Sequence, residues 1–164
     1  AAGNIKGMKN VNDKMSKIKT IVVDDWQYMS SFEYFDRAQE KGYDKFTQIA
    51  SNLAMVAKLP KDLRDDLTVF FLTHSEDSTD INGNRKIKAK TIGKMIDNTL
   101  TLEGLFSIVL FGKVNKNDDG ELEYGFETQS NGENTCKSPM GMFTDLFIPN
   151  DLKYVKECIQ KYEE

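Results

Sequence analysis

The stretch Thr20-Ile21-Val22-Val23-Asp24-Asp25 decides the fold that this sequence predicts. Its first four residues are all β-branched, and the run stops abruptly at two aspartates. A short run of this kind is typical of a strand that is buried on both faces of a parallel sheet. We therefore expect a central strand over residues 20–23, with the carboxylates of Asp24 and Asp25 at its carboxyl end.

A second run repeats this pattern at residues 66–74, where apolar residues lead to Thr73 and His74. Between the two runs, apolar residues at helical spacing predict the longest helix, over 36–58, with Pro60 just beyond its end. A helix between two such strands is a βαβ unit, which favours a parallel sheet. This alternation predicts an α/β fold.

The segment after the second strand is polar. Residues 75–84 contain two Asp, one Glu and one Gly, which predicts a long exposed loop. Loops of that length in compact domains more often have a function or are mobile than serve only as connections. A basic run follows the loop directly and consists of Arg85, Lys86, Lys88 and Lys90.

The other expected elements come from turn signals and helical spacing. Asp119-Gly120 between two alternating runs is a hairpin signal, so strands over 107–111 and 121–129 are expected to add antiparallel strands to the sheet. The apolar spacing also predicts helices over 11–19, 91–98 and 151–164.

The composition limits the class of protein. A chain of 164 residues is one domain by length, and its apolar runs are too short to cross a bilayer. The start of the chain has no secretion signal, so we expect a cytoplasmic protein without a membrane segment. Cys136, Cys158 and the single His74 form neither a disulfide framework nor a zinc set. Because the formal net charge is −4, any contact with DNA must be local.

Candidate chemistry lies where the two strands end, because ligands of parallel sheets bind outside the carboxyl ends of the strands. An Asp in the position of Asp24 can hold Mg²⁺ through a water, and the neighbouring Asp25 can orient an attacking water. The pair Thr73-His74 on the next strand can sense a γ-phosphate.

Each of these interpretations has a plainer alternative. Asp24-Asp25 by itself is more typical of a helix cap, His74 of a surface histidine, and the basic run of a solvated stretch. An aromatic cluster between the first strand and the long helix can stack bases, but such residues more often pack a core or an interface. The cluster consists of Trp26, Tyr28, Phe32, Tyr34 and Phe35. A phosphate-binding G-x-x-x-x-G-K-[ST] motif does not occur in the sequence.

Six segments of the chain form a recognisable succession. They are Ile21-Val22-Val23-Asp24-Asp25-Trp26-Gln27-Tyr28, Lys41-Gly42-Tyr43-Asp44-Lys45-Phe46, Leu63 to His74, Lys90-Thr91-Ile92-Gly93-Lys94-Met95, Glu103-Gly104-Leu105-Phe106 and Asn131 to Phe143. Together they resemble the phage AAA-family, RecA-like ATPases, the Sak-type single-strand-annealing recombination proteins. The resemblance extends roughly from Ile21 to Phe143.

The resemblance implies a partial RecA-like P-loop NTPase core over residues 1–164, without its N-terminal Walker A unit: a mostly parallel sheet with helices on both faces and a C-terminal antiparallel hairpin. Asp24 would be the Walker B acid that binds Mg²⁺, and Thr73 and His74 would stand at the sensor position. The segment from Ser75 to Lys90 would face DNA. Lys137 would reach the nucleotide of a neighbouring subunit, although without the family it reads as a surface lysine before Pro139.

The resemblance also implies partners. Members of this family carry a Gly-rich P-loop in a Walker A unit N-terminal to the region matched here. The P-loop that completes the ATP site is then expected from a longer native protein, from a separate N-terminal segment of a split one, or from another chain. ATP, Mg²⁺, single-stranded DNA and a homo-oligomeric ring or filament are then expected, in the cytoplasm of the host cell for a phage protein.

Three functions remain open from the sequence. The first is an ATPase portion that drives DNA annealing or strand exchange, and the second is a non-catalytic RecA-like module for binding or assembly. A magnesium-dependent nuclease built on Asp24 and Asp25 ranks last, because two-metal chemistry generally needs more carboxylates.

Overall fold

A computed structural model describes residues 1–91 and 101–164 of the chain, and it shows a mixed α/β protein with small sheets. The helix predicted over 91–98 lies outside the described residues, apart from Thr91. Within the described residues, the α-helices are α1 (Ala2–Lys14), α2 (Tyr28–Asp36), α3 (Asp44–Lys58) and α4 (Leu152–Glu163). The strands are β1 (Thr20–Val23), β2 (Thr68–Phe71), β3 (Ser75–Thr79), β4 (Arg85–Ala89), β5 (Phe111–Lys116), β6 (Leu122–Glu127) and β7 (Phe147–Pro149). Short 3-10 helices span Leu59–Asp62 and Leu102–Leu105.

The chain divides into two compact units. Unit 1 comprises Ala1–Glu76 and the described residues of Ala89–Leu105, and unit 2 comprises Asp77–Lys88 and Phe106–Glu164. Within the described residues, no helix is long and apolar enough to cross a membrane.

Unit 1 contains the predicted parallel strand pair. β1 and β2 are parallel neighbours, with Val23 opposite Phe71 at their carboxyl ends. The prediction that β1 is buried on both faces is wrong, because Val22 is 48% exposed and only Val23 of the strand is buried. In the described structure this parallel sheet has two strands, so the mostly parallel sheet expected from the sequence is seen only as this pair.

Helix α3 contributes one of its faces to the core of unit 1. Its buried residues recur at the spacing of one helical face and include Ile49, Ala50, Leu53, Val56 and Ala57. Asp44 lies in its first turn and Lys58 in its last, where each charge is favourable for the helix dipole. The predicted end of this helix is confirmed.

The predicted start of that helix, at residue 36, is wrong. Residues after α2 turn away before α3 begins, and Gly42 there has φ +103°, a conformation that side chains other than glycine rarely adopt. Arg37 stabilises the turn, because its guanidinium group donates to Glu33, Glu40 and Gln48. The predicted helix is therefore shorter and consists of α3 alone, because α2 ends at Asp36.

The first helix also differs from its prediction over residues 11–19. Helix α1 ends at Lys14, and the guanidinium group of Arg64 donates hydrogen bonds to the carbonyls of Val11, Asn12, Met15 and Ile18. A helix leaves its last carbonyls without helical partners, and Arg64 satisfies such groups here. The helix therefore stops earlier than its apolar spacing suggests.

The predicted exposed loop at 75–84 is largely a β-hairpin. β3 and β4 pair across a turn in which the Asp80 N–H donates to the Asn84 carbonyl at 2.9 Å. Gly83 has φ +84° in that turn, and the Asp80 carboxylate accepts the backbone N–H groups of Asn82 and Asn84. These hydrogen bonds lower the pKa of Asp80, the bond from the Asn84 side-chain amide most of all.

Unit 2 contains an antiparallel sheet in the order β5-β6-β7. The predicted turn at Asp119-Gly120 is confirmed, with Gly120 at φ +82° and the Gly120 N–H donating to the Asn117 carbonyl. Among the described residues, these strands form a sheet of their own. Within that part of the chain they do not extend the β1–β2 pair, although the sequence had suggested that they would.

The predicted C-terminal helix is confirmed as α4. The Asp151 carboxylate caps it by accepting the Lys153 N–H at 2.8 Å. Ile148 and Val155 are buried in unit 2.

Candidate functional site

The chain enters a turn directly after β1. The N–H of Leu72 donates to the Val23 carbonyl, and the N–H of Trp26 donates to the Leu72 carbonyl, both at 2.9 Å. Between them Asp25 adopts φ +47°, in the left-handed region that Asp and Asn tolerate better than most side chains. The strand-to-strand hydrogen bonding thus holds Asp25 in an uncommon backbone conformation at the carboxyl ends of β1 and β2.

Asp25 and His74 come together at this edge. His74 Nε2 lies 3.3 Å from Asp25 Oδ1, and the two side chains are 58% and 52% exposed. The prediction that parallel strands bring these residues to one edge is therefore confirmed for this pair. Their exposure leaves both side chains accessible to a ligand.

Gln27 links the two strand ends, and the sequence interpretation missed it. Its Oε1 accepts the backbone N–H of His74 at 3.3 Å, and its Nε2 lies 3.4 Å from Asp25 Oδ1. The residue is only 5% exposed. A polar residue directly after a predicted strand end was the available signal, because a buried amide needs partners and the adjacent strand end supplies them.

Asp24 and Thr73 lie beside this pair with local hydrogen bonds. Asp24 Oδ1 accepts the N–H of Asp25 at 3.0 Å, and the Thr73 hydroxyl donates to the His74 carbonyl at 3.4 Å. The helix-cap interpretation of Asp24-Asp25 is not supported, because Gln27 is the N-cap residue of α2 and no side chain caps that helix. Asp24 and Thr73 are both exposed.

The fit of Mg²⁺ rests on Asp24. Among residues 1–91 and 101–164, no three His, Cys, Asp or Glu side chains form a group that could hold a metal directly. One exposed carboxylate, with one oxygen engaged by a backbone N–H, suits a cation that keeps most of its waters, as Mg²⁺ does. The residues present fit water-mediated Mg²⁺ binding and do not form a closed metal site.

A shallow cavity of about 90 Å³ opens next to this edge, within unit 1. Small-molecule pockets usually measure roughly 300–1,000 Å³, so this cavity matches only part of a nucleotide. Its lining residues are Gln27, Tyr28, Ser31, His74, Lys90 and Thr91. The Lys90 N–H donates to the His74 carbonyl at 2.8 Å, which fixes Lys90 beside the end of β2.

The residues of the basic run have different surroundings. Arg85 donates to Asp77 Oδ1 at 2.7 Å across the hairpin, which lowers the pKa of Asp77, and the Lys86 ammonium donates to the Gly132 carbonyl. Lys88 is half-buried, whereas Lys90 is exposed. The run is therefore part of a strand with neighbours, and Lys90 is the member that lines the cavity.

Lys137 lies in unit 2, where it is half-buried. Its backbone N–H and carbonyl both pair with Val109, at 3.0 and 2.8 Å. Its proposed contact with a neighbouring subunit stays a prediction.

The aromatic cluster divides into core and surface residues. Trp26 is buried and packs edge-on against Phe71 at 5.2 Å, and Tyr34 packs against the buried Ile49 and Ala50. Tyr28, Phe32 and Phe35 are exposed. The core interpretation therefore holds for Trp26 and Tyr34 only.

Comparisons with protein-family models, with curated proteins and with solved structures found no match for this chain.

Proposed function

We propose that this chain is part of a RecA-like, ATP-binding protein that acts on single-stranded DNA in recombination. The observation that carries the proposal is the contact between Asp25 and His74, which joins the carboxyl ends of two parallel strands at 3.3 Å. Ligands of parallel sheets bind at this edge of the sheet. A change of charge at this edge, when a phosphate binds or leaves, can be passed on to the segment that follows. We also propose that the whole chain forms part of a RecA-like core.

The residues at the edge have separate proposed roles. Asp24 would hold Mg²⁺ through water, and the ion would supply positive charge opposite the ATP phosphates. Asp25 accepts a hydrogen bond from the water that attacks the γ-phosphorus, while His74 Nε2 and Gln27 Nε2 orient its carboxylate. Thr73 and His74 report the state of the γ-phosphate to the segment that follows.

Other parts of the proposed machinery lie outside this edge. The phosphate grip comes from a separate P-loop segment, and Lys137 contacts the nucleotide of the next subunit in a homo-oligomeric ring or filament. Arg85, Lys86, Lys88 and Lys90 contact the DNA backbone. The small cavity supports this division, because by itself it is too small for a whole nucleotide.

The test is ATP hydrolysis by this chain assembled with the segment that supplies the P-loop. We expect magnesium-dependent phosphate release, and we expect Asp24→Asn and Asp25→Asn each to lower kcat by roughly 100-fold, since each removes several kcal/mol of charge stabilisation or orientation. Asp65→Asn is the matched control, because Asp65 is an exposed aspartate just before β2 and should leave kcat unchanged. Equal rates for the three variants would exclude the roles given to Asp24 and Asp25.

A second candidate is a non-catalytic RecA-like module for binding or assembly. The exposed aromatic residues of α2 favour it, because exposed rings are common in interfaces. If the assembly forms and binds nucleotide but releases no phosphate under any magnesium concentration, this second function replaces the first.

A further inference from the structure

The cavity beside β2 has a lining that suits a phosphate group. The lining includes Ser31 and Lys90, whose side chains carry a hydroxyl group and an ammonium group. Hydroxyl and ammonium groups donate to phosphate oxygens, and the charge-assisted bonds from an ammonium are among the stronger hydrogen bonds. The volume of about 90 Å³ matches a group of phosphate size.

An aromatic pair continues from the rim of this cavity. Tyr28 lines the cavity, and its ring stacks on Phe32 with centroids 5.9 Å apart and planes at 27°. The two residues are 42% and 64% exposed. The Tyr28 ring also meets His74 edge-on at 6.1 Å, which holds it beside the cavity.

We infer that the cavity and the Tyr28–Phe32 pair together bind one nucleotide unit, with its phosphate in the cavity and its base stacked on the aromatic pair. Every base has a face that stacks on aromatic rings, so this site would tolerate any sequence. Both a free mononucleotide and one unit of a single strand have this chemistry. That the bound nucleotide belongs to a single strand rests on the proposed function. The nucleotide site itself does not depend on that function.

An apolar protein segment fits this surface less well. Such a segment would cover the rings and also the cavity beside them, which Ser31 and Lys90 line. Covering an ammonium group with apolar atoms costs free energy unless an anion accompanies it. A nucleotide suits both parts of the surface, because its phosphate supplies the anion and its base supplies a ring that stacks on Tyr28 and Phe32.

The experiment measures binding of a fluorescein-labelled 12-mer of thymidylate by fluorescence anisotropy, in the absence of ATP and Mg²⁺. Phe32→Leu keeps apolar surface but removes the ring, so we expect it to weaken binding by roughly 5- to 150-fold, whereas Phe32→Tyr should bind like the unchanged chain. Tyr43→Leu is the matched control, since Tyr43 is an exposed aromatic residue that lies outside α2 and the cavity lining. Lys90→Gln should lower the slope of log Kd against log salt by about 0.7.

Two further ligands identify the source and test the stacking. Thymidine monophosphate that displaces the 12-mer at a similar concentration per nucleotide supports a free mononucleotide, and failure to do so supports a strand. An abasic 12-mer that binds as tightly as the thymidylate 12-mer would overturn the inference, as would equal affinities of Phe32→Leu and Tyr43→Leu. Absence of binding by both the 12-mer and the mononucleotide would overturn it as well.

The inference and the proposed function fail separately. Because the binding experiment contains neither ATP nor Mg²⁺, loss of phosphate release in Asp24→Asn has no effect on it. If Phe32→Leu lowers the melting temperature, the abasic strand and Phe32→Tyr still decide the outcome.

Discussion

A group of polar side chains in unit 1 follows the strands β1 and β2, whereas a group in unit 2 lies on or beside the strands β5 and β6, and its members bind one another. Lys113 Nζ contacts Glu127 Oε1 at 2.6 Å, and Asn134 Nδ2 donates to Glu127 Oε2 at 2.5 Å. Asn134 Oδ1 in turn accepts the backbone N–H of Cys136 at 3.1 Å. In unit 1, Asp25 and His74 contact each other but remain about half exposed.

The difference separates structural from ligand-binding roles for similar residue types. The carboxylate of Glu127 is largely buried and has both oxygens engaged, so its hydrogen bonds position the sheet and the segment beside it. The groups at the ends of β1 and β2 are held in place by the backbone and by Gln27, yet stay accessible. Three substitutions test this contrast.

Gly125→Ala should damage unit 2 most. A Cβ atom at Gly125 would lie 2.3 Å from Phe147 Cζ and 2.6 Å from the Ile148 carbonyl oxygen, and the carbonyl belongs to the paired backbone of β7. Overpacking of this kind costs roughly 1–3 kcal/mol. Alkylation of Cys136 measures the loss, because burial raises the pKa of this thiol to about 12 and native Cys136 reacts only after unit 2 opens.

In a Cys158→Ser background, the alkylation rate of Cys136 in Gly125→Ala should rise by roughly 5- to 150-fold, the range that corresponds to 1–3 kcal/mol. Gly112→Ala is the control, since its added Cβ has its nearest contact at 4.0 Å, with Phe126. Equal alkylation rates in the two variants would show that β6 and β7 do not pack as described.

Gln27→Leu should loosen the site in unit 1 with a smaller effect. The substitution removes the acceptor for the His74 N–H and the donor to Asp25, which together correspond to about 1 kcal/mol of net stability. Hydrogen exchange of the His74 amide should become about 5-fold faster. Gln39→Leu, at an exposed position, should leave that rate unchanged, and a similar acceleration in both variants would remove Gln27 from its linking role.

Asp66→Asn should have the smallest effect, and the effect should depend on pH. Asp66 precedes β2, at the strand end opposite His74, and hydrogen bonds from Lys19 and Arg64 lower its pKa. A carboxyl group whose pKa is lower in the folded state stabilises the fold above its unfolded pKa and loses that contribution as the pH falls. The substitution should therefore lower the melting temperature slightly at neutral pH. The melting temperatures of the variant and the unchanged chain should become equal at a pH well below about 3.9.

Asp65→Asn again provides the comparison, because it removes a neighbouring exposed aspartate. A melting-temperature difference for Asp66→Asn that stays constant between neutral and strongly acidic pH would contradict the assigned ion pairs.

The sequence predicted those parts of the fold that local residue patterns determine. The β-branched run at 20–23, the turn at Asp119-Gly120 and the amphipathic C-terminal helix all form as expected. The parallel pairing of β1 and β2 followed from the helix between them, and it placed Asp25 next to His74. These features depend on propensity and on short connections.

The errors arose where distant side chains or a single glycine decide the structure. Strand β3 consists of Ser75, Glu76, Asp77, Ser78 and Thr79, which carry no apolar alternation, although Asn82-Gly83 was a hairpin signal that the loop interpretation passed over. The turn that contains Gly42, at φ +103°, delays the start of the helix that the sequence placed at residue 36. Gln27 belongs to no motif, and its role depends on the adjacent strand end.

Arg64 has a consequence for how the chain folds. Its guanidinium group binds carbonyls that are 46 to 53 positions earlier in the sequence, and its N–H donates to Asn12 Oδ1 at 2.7 Å. The loop closed by these bonds contains β1, α2 and α3. The part of the docking of α1 that Arg64 supplies therefore becomes available only when the turn before β2 is in place.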